Sequence, residues 1–449
     1  MRLFCCLMTF CLFISASTLY ASDGALEFGR IAAIDLLMDL AISKNLIAGG
    51  VVVIGNHNGI LSSTSRGRLS DRPDAPLLDQ RTIFDLASLT KVIATTPAVM
   101  KLLDEGKITL LDTLGHWFPE FKGSEHENVT IINLLTHTSG LTDFEMSTDN
   151  AMKTAIERAA AEKNQLHPGD SFKYADINFI LLGELVHRAS GKTLDVYCRE
   201  ELFKPLLTPE TMFLPPPDLA GRIAPTLGTD SGTVQDRNSR RLGSVAGHAG
   251  LFSSAQDLAR FARLMLDGGT LDGREILSER AVKLMTSPFF CRHGTVERGL
   301  GWDIDSPYSA PKGKLFSEAS FGHTGYSGSS IWIDPKQDLF VIMLTNRLNY
   351  RSIRQFNQLR SDISTIAVAE FRKPGDDIPA DSQRVTAVRK TAARTAHVQQ
   401  RAHRKISAAS RGLRLVAVAS EIHTATHHRY DKKRDKSQRH KSYGRTRRV

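Results

Sequence analysis

The sequence predicts an α/β fold of the α+β kind: an antiparallel sheet built from both chain ends and flanked by helices, plus a mostly helical lobe. Two observations predict it. A hairpin pattern lies beside an amphipathic helix near each end, and the long middle has helical rather than alternating periodicity. The 449 residues, 41% hydrophobic and 24% charged, suffice for one large core or two smaller ones.

Residues 1–21 read as an export signal, with Arg2, a mostly apolar run from Leu3 to Ile14 and small residues up to Ala21. The run is short for a membrane span, so no transmembrane segment is expected once it is removed; an uncleaved anchor helix is the alternative. Three of the five cysteines lie inside it, and Cys198 with Cys291 makes neither a disulfide framework nor a zinc site. Ala25 to Asn45 repeats apolar residues at helical spacing, among them Ile31, Leu36, Leu37 and Leu40. Gly49 to Gly55 is compact and β-branched, Asn56-His57-Asn58-Gly59 turns the chain, and Ile60 to Arg68 runs extended. The same grammar returns late: a strand from Ser329 to Asp334, a turn at Pro335-Lys336-Gln337-Asp338, a strand from Leu339 to Thr345 and a helix from Tyr350 to Phe371. Roughly residues 90 to 290 form the helical lobe, and the cleft between lobes is the expected site. A Pro/Gly-rich connection from Thr208 to Gly247 is long enough to line it.

The net charge of +10 is unevenly placed. From Lys373 onward there are 20 Lys and Arg against 6 Asp and Glu, which leaves the preceding residues mildly acidic. Residues 22–372 are therefore expected to be the folded domain, and 373–449 a basic, disordered tail. Such a tail suits an anionic partner in the cell envelope. It lacks the aromatic interleaving of specific nucleic-acid recognition.

The chemistry centres on Phe84-Asp85-Leu86-Ala87-Ser88-Leu89-Thr90-Lys91. An apolar helical run follows, so Ser88 and Lys91 are expected in the first turn of a buried helix, on one face, with the amine able to reach the hydroxyl. An acyl-transfer nucleophile needs such a base within reach and N–H donors aimed at the oxyanion. A Ser-x-x-Lys pair arises by chance about once or twice in a chain of this composition. Ser309 and Lys312 are a second copy, and Pro311 and Gly313 keep it from being helical. Asp85 is read as a helix cap.

The other motifs give the first pair its meaning. They are Thr136-His137-Thr138-Ser139-Gly140, Tyr174-Ala175-Asp176, Gly247-His248-Ala249-Gly250-Leu251-Phe252-Ser253, His323-Thr324-Gly325-Tyr326 and Leu344-Thr345-Asn346-Arg347. In this order the chain resembles the serine β-lactamase-like family, near class C enzymes, penicillin-binding D-alanyl carboxypeptidases and related esterases, over about residues 30 to 370. The resemblance implies that Ser88 is acylated and that Lys91, or Tyr174 through it, takes the Ser88 proton. It also implies an oxyanion hole from the backbone N–H groups of Ser88 and Tyr326, substrate contacts from Asp176, His323, Thr324 and Gly325, and no cofactor or metal. To act as a base Lys91 must be neutral, which burial and a nearby positive charge can arrange.

Two positions depart from the family. Its Tyr-x-Asn reads Tyr174-Ala175-Asp176, and an ionised Asp176 cannot donate to a substrate carbonyl and favours the charged form of Lys91. Its Lys-Thr-Gly reads His323-Thr324-Gly325, and histidine is only partly cationic near neutrality. The second change moves the expected substrate from β-lactams toward esters or cell-wall peptides. His137 is expected to be structural; His248 and the pair Asn346 and Arg347 are left open between structure and substrate. No G-x-S-x-G elbow, H-E-x-x-H or G-x-G-x-x-G after a strand is present. The chain is thus expected to be an exported serine hydrolase acting on a small-molecule or peptidoglycan-derived substrate. The alternative is a non-catalytic envelope-binding protein of the same fold.

Overall fold

Val51, Val52, Val53 and Ile54 follow one another without a polar break, and their strand is buried on both faces, as a central strand must be. The computed structural model describes residues 32–163, 167–290 and 297–372. The expected export signal, the basic tail, the start of the first expected helix and Cys291 lie outside these. A helix over 32–43 leads into β1 (Ile47–Asn56), which turns through His57 and Asn58 into β2 (Gly59–Gly67). Four short strands, β3 (Ile83–Asp85), β4 (Met212–Phe213), β5 (Ile223–Ala224) and β6 (Leu251–Ser254), form a separate small sheet. β7 (Thr270–Leu271) and β8 (Arg274–Glu275) make an isolated hairpin.

The remaining strands complete the large sheet: β9 (Phe289–Phe290), β10 (Glu297–Arg298), β11 (Asp303–Asp305), β12 (Phe321–Thr324), β13 (Ser330–Asp334) and β14 (Leu339–Arg347). Its order is β2-β1-β14-β13-β12-β11-β10-β9, all antiparallel. The first and last long strands lie side by side, Val52 opposite Met343, so both chain ends build one sheet as expected. The last helix, Ile353–Phe371, packs on β14.

The middle of the chain is mostly helical, as expected, with strands added. It contributes the small sheet, and its helix Ala255–Leu266 packs against β1, β2, β13 and β14. One apolar core therefore runs from Val51, Val53, Ile342 and Leu344 of the sheet into Leu134, Leu135, Leu181 and Leu185 of the helices. The Thr208–Gly247 connection does not line the pocket at Ser88. Its residues 220–231 and the loop 69–76 enclose a separate cavity of about 510 Å³. No helix among the described residues is long and apolar enough to cross a membrane.

Candidate active site

β3 ends at Asp85, whose buried carboxylate accepts the N–H groups of Ala87 at 2.8 Å and Gln235 at 2.7 Å. Burial pushes this carboxyl up to about 6 against those two bonds. Asp85 therefore braces a bend rather than capping a helix. At the bend Ala87 takes a φ of 46°, a left-handed conformation that costs an L-residue about 1–2 kcal/mol. The expected α-helical first turn is also absent: Ala87–Leu89 winds as a 3₁₀ turn, Lys91–Thr95 as a π turn, and α-helix begins at Thr96. Pro97 has no N–H to bond the carbonyl four residues back, and the Thr96 N–H reaches to Lys91 instead. The two side chains still meet, Lys91 Nζ donating to Ser88 Oγ at 3.1 Å.

Lys91 is fully buried and has two further partners, the His248 carbonyl at 3.1 Å and Asp176 Oδ1 at 2.7 Å. Burial alone lowers its pKa, but Asp176 and Tyr174 outweigh that and raise it above the ordinary lysine range. Asp176, 31% of whose side chain remains exposed, is correspondingly lowered despite burial. Asp176 thus favours the charged form of Lys91, as its place beside the expected base implied: at rest Lys91 is an ammonium paired with a carboxylate. The close approach of His248 depends on Gly247, where an added Cβ would sit 1.9 Å from the Phe179 carbonyl oxygen. The His248 ring is buried away from the pocket and pairs through Nε2 with Asp236 Oδ1 at 2.9 Å. Asp176, Asp236 and His248 each place a ligand atom within 4.8 Å of the others. The Lys91 ammonium already answers the charge of Asp176 there.

Tyr174 precedes the helix Ile177–Ser190. Its ring lies 5.1 Å from Lys91 Nζ and lines the cavity with Ser88, and burial raises its pKa despite the nearby ammonium. His137 fixes it from beneath. The two rings stack at 4.3 Å, the His137 carbonyl accepts the Lys173 N–H at 2.9 Å, and His137 Nδ1 accepts the Ala175 N–H at 3.2 Å. Burial, with Arg298 and Lys91 nearby, keeps this imidazole neutral, as an accepting Nδ1 requires. Asn178 faces away, donating to the Ala175 carbonyl and accepting from Ser139.

A cavity of about 220 Å³ opens over Ser88, lined also by Tyr174, His323, Thr324, Gly325 and Tyr326. The turn after β12 is stapled to the nucleophile bend, Ser327 Oγ donating to the Asp85 carbonyl at 2.6 Å and Ser329 Oγ to that of Leu86 at 2.8 Å. Gly325 fits this junction because a Cβ would meet the Leu86 oxygen at 2.3 Å. Tyr326 thereby stands close to Ser88. His323 departs from expectation. Burial first, then Arg298 and Lys91, push its pKa well below the usual value, and its Nδ1–H donates to the Thr324 carbonyl. A neutral ring cannot attract an anion as a lysine would.

The positive charge comes from Arg298 and Arg360, which the sequence had not assigned to the site, and from Arg347, which it had left open. Arg298 and Arg360 line the cavity but are committed, the first to Asp303 and Gly301, the second to the carbonyls of Gly325 and Ser329 at 2.6 and 2.7 Å. Arg347 donates only to carbonyls 3.3–3.4 Å away. Asn346, on the other face of the strand, binds the carbonyls of Leu69 and Pro225 and leaves the site. One signal could have found Arg360: Ile353, Asn357 and Arg360 share a face of the last helix. Ser309 and Lys312 bind Asp303 and the Ile304 carbonyl respectively and form no pair.

Residues 34–360 match the protein family described as Beta-lactamase. An N-acetylmuramyl-L-alanine amidase of Bacillus subtilis is 28% identical over 69% of this chain and 80% of its own. A Salmonella enteritidis relative, named as a D-alanyl-D-alanine carboxypeptidase, is 30% identical over 59% of this chain and 69% of its own. Among solved structures, a penicillin-binding protein homolog from Caulobacter crescentus superposes with a TM-score of 0.64 at 21% identity, covering 76% of this chain and 98% of that one. A class C β-lactamase gives 0.64 at 20%, covering 77% and 98%. At these identities the two structures speak for the fold.

Proposed function

This chain belongs to the Beta-lactamase family and is a serine hydrolase, and from that premise we propose an exported enzyme that acylates Ser88 and hydrolyses the acyl-enzyme. Its acyl donor is a cell-wall peptide, an ester or a β-lactam. The observation that carries the reading is the contact of Lys91 Nζ with Ser88 Oγ at 3.1 Å in a pocket shared with Tyr174. Ser88 Oγ attacks the carbonyl carbon, its proton passes to the Lys91/Tyr174 pair, and that pair returns it to the leaving group. Because Lys91 rests as an ammonium, the pair accepts a proton only after losing one, so turnover rises with pH. Backbone N–H groups of Ser88 and Tyr326 receive the oxyanion on the stapled turn. Thr324 and Gly325 edge the substrate, and Arg347 replaces His323 as the partner for its carboxylate. The names of the amidase and carboxypeptidase relatives favour a peptidoglycan-derived substrate. The basic tail is proposed to hold the enzyme to anionic envelope polymer.

The ion pair between Lys91 and Asp176 favours one rival, a non-catalytic envelope-binding protein whose base is locked. Labelling separates the two. A fluorescent penicillin or fluorophosphonate is expected to mark the wild type and not Ser88→Ala. No label and no ester turnover would leave the binding protein.

A further inference from the structure

The rim of the Ser88 cavity carries two exposed side chains with apolar surface. Tyr326 is 49% exposed and Ile353, at the start of the last helix, 53% exposed, and both line the cavity. Between them, deeper in, lies Arg347. Its guanidinium sits over the rings of Tyr326, Tyr350 and Phe356 at 5.5, 4.8 and 4.7 Å, with only the long carbonyl contacts given above. Bonds of 3.3–3.4 Å are weak, so a carboxylate entering the cavity is a better acceptor for this cation than the carbonyls it now meets. Ile353, Asn357 and Arg360 descend one helix face from rim to floor. The corner thus joins an apolar lip to one available positive charge.

From this we infer that the Tyr326–Ile353–Arg347 corner is a specificity pocket for a leaving residue that carries both a carboxylate and a hydrophobic side chain, aromatic or branched, rather than hydrogen or methyl. The inference rests on the hydrolase reading and names its preferred substrate. The carboxylate of that residue pairs with Arg347, and its side chain covers Tyr326 and Ile353, removing both apolar surfaces from water. In the step itself the Ser88 Oγ–carbon bond forms, and the bond from that carbon to the leaving amine nitrogen breaks. The nitrogen takes the proton first lost by Ser88, and water later releases the acyl group. An alanine-sized leaving group satisfies Arg347 and leaves the lip bare.

The test uses the full chain with acetyl-D-alanyl-D-phenylalanine, acetyl-D-alanyl-D-leucine and acetyl-D-alanyl-D-alanine, and with the same peptides ending in the L-residue. For one terminal configuration, kcat/KM is expected to be at least tenfold higher for phenylalanine and leucine than for alanine, with the difference in KM. Ile353→Ser is expected to lower kcat/KM for phenylalanine and leucine until the ratio nears one, and Arg347→Gln to raise KM for all three. Equal cleavage of all three by a wild type that a penicillin labels at Ser88 would overturn the corner and spare the hydrolase. So would a preference that Ile353→Ser does not alter. Neither label nor cleavage would overturn the hydrolase reading and the corner with it.

Discussion

Asp176 sets the charge of the site. Its carboxylate, 2.7 Å from Lys91 Nζ, is the largest influence opposing the desolvation of that amine. Removing it should therefore lower the Lys91 pKa. In Asp176→Asn the rising limb of kcat/KM against pH is expected to shift at least one unit toward acid, with more turnover at neutral pH; an ester assay from pH 5 to 10 reads it. A limb that stays in place would mean that Lys91 is not paired with Asp176 in solution. This conflict was visible in the sequence, since Tyr174-Ala175-Asp176 puts an acid beside the expected base. The neutrality of His323 was not. It arises from burial beside Arg298, 25 positions earlier in the chain, which no local pattern announces.

The last helix shows what an element adds beyond its residues. Its amphipathic pattern announced a helix but not which polar residue turns inward. Arg360 does, and burial together with Arg347 pulls its pKa down to about 9. It braces the carbonyls of Gly325 and Ser329, the turn that holds Tyr326. Burying this cation costs desolvation, but removing it would leave the two carbonyls it serves without that donor. Arg360→Met is expected to lower the urea midpoint, because it strips those carbonyls of a donor, while kcat of the folded enzyme falls about 100-fold, as when an oxyanion donor is lost. Unchanged kcat would sink the bracing role. The nucleophile bend is a second case. Pro97 denies that turn one α-helical N–H, and the left-handed Ala87 goes with Asp85 gripping its N–H.

At the scale of the molecule, the shared core couples the sheet to the helices. Ile342, fully buried on β14, belongs to the same apolar cluster as Leu134 and Leu181. Ile342→Ala is expected to cost about 2–5 kcal/mol. Far-UV circular dichroism and tryptophan fluorescence should then follow one shifted urea transition. Two separate transitions would mean independent lobes. By itself the sequence determined the two hairpins and the sheet closed by both chain ends, and singled out Ser88, Lys91 and Tyr174 as candidates, because period-two alternation, turn residues and short motifs are local properties. Only the tertiary structure decided that Lys91 is charged, that His323 is neutral, that His248 holds Lys91 by its backbone, and that Arg347 faces the cavity while Asn346 does not. Protonation and facing depend on burial and on charges brought together from distant stretches, and those distances exist only once the chain has folded.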